Sequence, residues 1–105
     1  MLGKFISVVG LKHYFGSEIF SIGQRLKLTK DYDNKYDDEA IMAEVESVGK
    51  VGYVANSPHT VARGTRSAGR IYDTFEDFVY CEVAFILRDI VIAKILDKPT
   101  DVSNG

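Results

Sequence analysis

Two runs of alternating side chains constrain this chain more than any other feature. Arg25-Leu26-Lys27-Leu28-Thr29 is apolar at every second position, and Val79, Cys81, Val83, Phe85 and Leu87 repeat the same spacing. A period of two belongs to extended backbone, whose successive side chains point to opposite faces. Each run therefore predicts a strand with one buried and one wet face. Such strands are not stable alone and need neighbours to share a core.

Further segments supply those neighbours. Phe5-Ile6-Ser7-Val8-Val9 is rich in β-branched residues and stops at Gly10. Ala40 to Val45 and Val51 to Val54 flank Gly49-Lys50 and read as an antiparallel hairpin. Ile90 to Leu96 follows a turn at Arg88-Asp89 and forms a final strand. Ser57-Pro58 predicts the start of a two-turn helix ending near Gly64, because serine caps and a first-position proline has no N–H to lose. Gly69 to Asp73 reads as another short strand. About six strands with one or two small helices predict a mostly β domain, either an antiparallel barrel or a sandwich. The pattern alone does not separate the two. The domain is expected to span residues 1–97, with a polar tail, KPTDVSNG, over residues 98–105.

Composition narrows the function. The chain of 105 residues is long enough for one domain with its own core. Thirteen basic against 15 acidic residues leave a net charge of -2, which argues against a broad phosphate-binding surface but not against a small site. A single cysteine, Cys81, permits no internal disulfide and points to the cytoplasm, with the thiol buried and inert in its strand. The apolar run in MLGKFISVVG is too short and broken for a signal peptide or membrane span. Asp31-Tyr32-Asp33-Asn34-Lys35 opens like a calcium loop, yet Tyr36 stands where glycine is needed and Met42 where the bidentate glutamate belongs. No metal or cofactor is expected. His13, His59 and Cys81 form no recognisable catalytic set, and no nucleophile elbow, phosphate loop, dinucleotide fingerprint or CxxC is present. The chain is not expected to be an enzyme.

Cations and rings are the remaining signal. Lys12-His13-Tyr14-Phe15 follows Gly10 directly after a strand, and Arg63, Arg66 and Arg70 lie in TVARGTRSAGR, a segment without an acid. Aromatic faces beside cations suit single-stranded nucleic acid, since every base can stack and every link carries a phosphate. The same residues also suit plainer roles: rings packed under a barrel and solvated arginines. The acidic loop Asn34 to Ile41, NKYDDEAI, fits either ligand recognition or simple turn chemistry.

Three patterns, VVGLKHYFG at Val8–Gly16, DNKYDDEAI at Asp33–Ile41 and VGYV at Val51–Val54, together resemble the HIRAN domain. That family precedes certain SNF2-type DNA-remodelling helicases and also occurs as short bacterial proteins. The likeness runs from about Phe5 to Arg63, and N-x-Y-D-x-x-A-I is its most specific element. It implies an OB-like barrel that holds single-stranded DNA by a free 3′ end. By position, Lys12 matches a basic residue on the strand, His13 and Tyr36 match stacking rings, and Asp37 matches a carboxylate that accepts from the terminal 3′-hydroxyl. Tyr53 matches a polar aromatic near the phosphates. Asn56 departs from the pattern, standing where helicase-linked members carry lysine. Lys12, His13, Tyr36, Asp37 and Tyr53 are expected on one concave surface. The alternative is a protein-interaction or oligomerisation barrel, its partner docked along an exposed strand edge and its Tyr-Asp loop purely structural.

Overall fold

Where the sequence alternates, the backbone is extended. The computed structural model describes residues 4–96, so the tail expected over 98–105 lies outside the described residues. Six strands form: β1 (Phe5–Val9), β2 (Arg25–Lys30), β3 (Ile41–Val45), β4 (Gly49–Val54), β5 (Phe78–Ile86) and β6 (Val91–Ile95). They pair in the order β1-β4-β3-β2-β5-β6 and close on themselves, with every pairing antiparallel. Closure makes this a barrel rather than a sandwich. Among the described residues each strand has two neighbours, so no whole strand stands at the free edge invoked for a docked partner.

Alternate residues fill the barrel. Ile6 and Val8 from β1, Leu26 and Leu28 from β2, Ile41 and Ala43 from β3, and Cys81 and Val83 from β5 all belong to one buried cluster. Burial pushes the Cys81 thiol pKa far up, which keeps it protonated and inert. The β5 alternation does not persist to its end. A register shift between Val83 and Phe85 breaks the pairing with β6, and Phe85 and Leu87 emerge exposed rather than continuing the buried face. An extra residue in one strand turns the following side chains over.

Two expected elements differ. The segment from Ser57 to Gly64 forms turns, not a two-turn helix. Ser57 does cap a first turn, its carbonyl accepting from Thr60 N and Val61 N. The turn goes no further because β-branched Thr60 and Val61 propagate a helix poorly and Ala62 N donates instead to the Ser7 hydroxyl. Residues expected as a strand, Gly69 to Asp73, are instead helical: α1 (Ala68–Ile71) runs into a 3-10 turn at Tyr72–Thr74. Ser67 caps α1 through Arg70 N, and Ala68 and Ile71, three apart, are buried together. In a window of five residues that helical spacing is easily misread as a strand.

The seam between β1 and β4 is short. Only Val8 with Val54 and Val9 with Tyr53 are paired. Below them, Ala55 N donates to Ser7 O and Arg66 N to Phe5 O, so the chain beyond β4 completes the closure. Above them, Gly10 takes φ 72 and turns the chain into a 3-10 turn at Leu11–His13. That crossing is possible because Gly52 has no side chain: a Cβ there would lie 2.7 Å from Val9 O and 2.8 Å from Val8 Cγ1. Gly52→Ala is therefore expected to cost about 1–3 kcal/mol by overpacking a backbone that cannot retreat. Chemical denaturation measures it, and a variant as stable as the parent would mean that the seam opens freely.

Candidate nucleic-acid interface

The acidic loop is built by its own side chains. Asn34 Oδ1 accepts from the backbone N–H of both Tyr36 and Asp37, each at 2.9 Å. Asp37 Oδ1 then accepts from Glu39 N at 2.9 Å. These local bonds fix the turn while β3 begins at Ile41. One consequence is that Tyr36 projects into solvent, with the residue 97% exposed.

Asp37 also ties the loop to the rest of the molecule. Its Oδ2 accepts from Asn56 Nδ2 at 2.9 Å, and Asn56 Oδ1 accepts from Gly69 N at 2.8 Å. Loop, β4 end and α1 are thus joined through one amide. Tyr36, Asp37, Asn34, Tyr53 and Asn56 all line one groove of about 430 Å³.

At Tyr53 the chemistry changes. Its hydroxyl donates to Asp31 Oδ2 at 2.5 Å and accepts from Lys50 Nζ at 3.0 Å. The Tyr53 hydrogen bond, opposed by partial burial, holds the Asp31 carboxyl below its usual value. Burial and the Asp31 hydrogen bond raise the Tyr53 phenol, and the bond to Tyr53 raises Lys50. The Lys50 ammonium lies 5.0 Å from the Tyr53 ring centroid and 5.9 Å from that of Tyr14. A cation therefore joins the end of the groove to the turn after β1.

The residues singled out in the sequence are thus divided. Tyr36, Asp37 and Tyr53 share the groove. Lys12 and His13 are exposed on the 3-10 turn that begins two residues after Val9, and Val9 lines the groove whereas they do not. Arg66 and Arg70 line a second concavity that shares Asn56 with the first, while Arg63 lines neither. Sequence reading missed Lys50 and the role of Asp31, because their meeting at one hydroxyl depends on a 22-residue separation between Asp31 and Tyr53. Among the described residues no cluster of three or more metal-ligating side chains occurs, and no helix is long and apolar enough to cross a membrane.

The HIRAN domain family model matches residues 4–73. This chain belongs to the HIRAN domain family. The family is known for DNA binding. Two solved structures share the HIRAN chain's fold. A protein from Lactobacillus plantarum is 21% identical with a TM-score of 0.62, the match covering 88% of each chain. The HIRAN domain of human HLTF is 18% identical with a TM-score of 0.58, over 95% of this chain and 79% of that one. No curated protein matches this HIRAN domain.

The Tyr53 junction gives a pH-dependent signature. A depressed carboxyl pKa contributes stability that is present above its unfolded value, about 3.9, and is lost as pH falls through the folded value. Tyr53→Phe removes the largest cause of the depression. Asp31 should then titrate at higher pH, nearer its ordinary value, in a carboxyl-detected NMR titration. An unmoved Asp31 titration would show that the hydroxyl does not control it.

Proposed function

We propose that this HIRAN domain binds single-stranded DNA, and that its Tyr36–Asp37 loop recognises a free 3′ end. Family membership supports the first half. The observation that carries the reading to this loop is the exposed Tyr36 ring, held at the rim of a groove by a backbone that is already fixed. A ring that packs on nothing contributes little to the fold, and a preset ring loses little freedom when a base stacks on it.

Asp37 supplies the selectivity. Each of its oxygens accepts one hydrogen bond within the protein, which leaves further lone pairs, since a carboxylate offers about four acceptor sites. A terminal 3′-hydroxyl can donate to it, whereas a phosphate at the same place is repelled. Lys12 is assigned to a backbone phosphate and His13 to a second base, both from the neighbouring turn. Tyr53 acts through Lys50, whose ammonium it orients toward the strand.

Two substitutions separate affinity from selectivity. Tyr36→Ala should weaken strands with a 3′-hydroxyl and with a 3′-phosphate alike, by about 1–3 kcal/mol, since stacking ignores the chemistry of the terminus. Asp37→Asn should abolish the preference between those two ligands and leave stacking intact. It should also lower stability by about 0.5–1.5 kcal/mol, because one carboxylate oxygen becomes a donor facing the Asn56 or Glu39 donor. Melting temperature therefore decides nothing here, and fluorescence anisotropy on folded variants does. A preference unchanged by Asp37→Asn would return the loop to a structural role and favour a protein partner instead.

A further inference from the structure

Arg66 and Arg70 line a concavity of about 310 Å³ together with Asn56, Thr65 and Ser67, and none of its lining residues is acidic. The backbone beneath them is held firmly. Arg66 N donates to Phe5 O at 2.7 Å, and residue 66 forms a parallel bridge with Ile6. Thr65 Oγ1 donates to Ala62 O at 2.6 Å, so the fully buried Ser7 hydroxyl donates to Thr65 Oγ1 at 2.8 Å. Ser67 fixes Arg70 through its backbone N–H. Both guanidinium side chains are exposed. The cations found over aromatic rings among the described residues are Arg25, Lys27, Lys30 and Lys50, so these two arginines are not spent in that way.

We propose that Arg66 and Arg70 form a phosphodiester subsite, continuous through Asn56 with the Tyr36–Asp37 groove, which holds an inner phosphate of a strand whose 3′ end lies at Asp37. This rests on the single-strand reading above. Two forked guanidiniums on a fixed backbone match the oxygens of a phosphodiester, and hydroxyls at Thr65 and Ser67 line the same hollow. The subsite gives the chain a cationic contact next to Asn56, which is itself neutral. One carboxylate lies close by: a Cβ on Gly69 would lie 2.6 Å from Glu39 Oε1. The subsite therefore contributes a single phosphate contact rather than an extended basic track.

The test compares the full chain with Arg66→Gln/Arg70→Gln, using Arg63→Gln as a charge control outside the concavity. The ligands are a dinucleotide and a hexanucleotide with the same free 3′ end, and a hexameric deoxyribose phosphate without bases. The double variant should bind the hexanucleotide roughly tenfold more weakly at low salt, with the slope of log affinity against log salt reduced by about 0.7, the value for one phosphate on a single strand. Dinucleotide affinity and the 3′-hydroxyl preference should not change, and Arg63→Gln should match the parent. Equal losses for dinucleotide and hexanucleotide, or no loss at all, overturn the subsite while leaving the end-binding reading intact. If the parent shows no end preference but the arginine Nε–H resonances of Arg66 and Arg70 shift on adding the baseless polymer, the subsite stands and the end reading falls. If the parent binds none of the three ligands, both fall.

Discussion

The whole interface depends on how β1 is shared. One edge of β1 pairs with β6 over four residue pairs, while the other has only two pairs with β4. The gap is closed by Ala55 on Ser7 and Arg66 on Phe5. Segments beyond β4 are therefore part of the barrel wall rather than appendages to it. Because the wall is completed there, Asn56 and Arg66 are placed by the same hydrogen bonds that close the sheet. A backbone bond lost at this seam would leave a buried carbonyl without a partner and displace the groove together with the fold.

Two polar side chains carry that coupling. Ser7 is the buried polar residue of the core, and its hydroxyl both donates and accepts, so the usual cost of burying it is met. Asn56 uses both ends of its amide, donating to Asp37 and accepting from Gly69 N. Lysine at that position could donate to Asp37 but could not accept from Gly69. Asparagine thus suits an α1 that is docked through a side-chain acceptor. Among the described residues no buried side-chain polar atom lacks a partner.

Charge is distributed with the same economy. The chain is acidic overall, yet Lys50 lies by the Tyr14 and Tyr53 rings and the Tyr53 hydroxyl, and Arg66 and Arg70 share a hollow with Asn56. Carboxylates of Asp37 and Glu39 lie beside Asn56 and Gly69 respectively. A few local cations on an acidic chain favour a ligand bound at a few points, and they disfavour the coating that a uniformly basic surface permits.

Much of this was legible in the sequence. Period-two patterning in β2 and β5 and β-branched content in β1 located the strands, since side-chain alternation is a property of extended backbone itself. Asn34 and Asp37 announced a tight turn because their short side chains bond to nearby N–H groups. The segments 57–64 and 69–73 were misread because their conformation is set by partners distant in sequence: Ser7 captures the first, and Asn56 and Ala55 dock the second. Phe85 left the core through a bulge that no spacing rule marks. Sequence alone determined that the chain would bury alternate faces of short strands and would set a tyrosine beside an aspartate in a turn before β3. Only the tertiary structure decided that Tyr36, Asp37 and Tyr53 meet in one groove while Lys12 and His13 stand on the turn beside it. Closing a barrel fixes which strand ends become neighbours, and that choice lies in long-range hydrogen bonds rather than in any local run of residues.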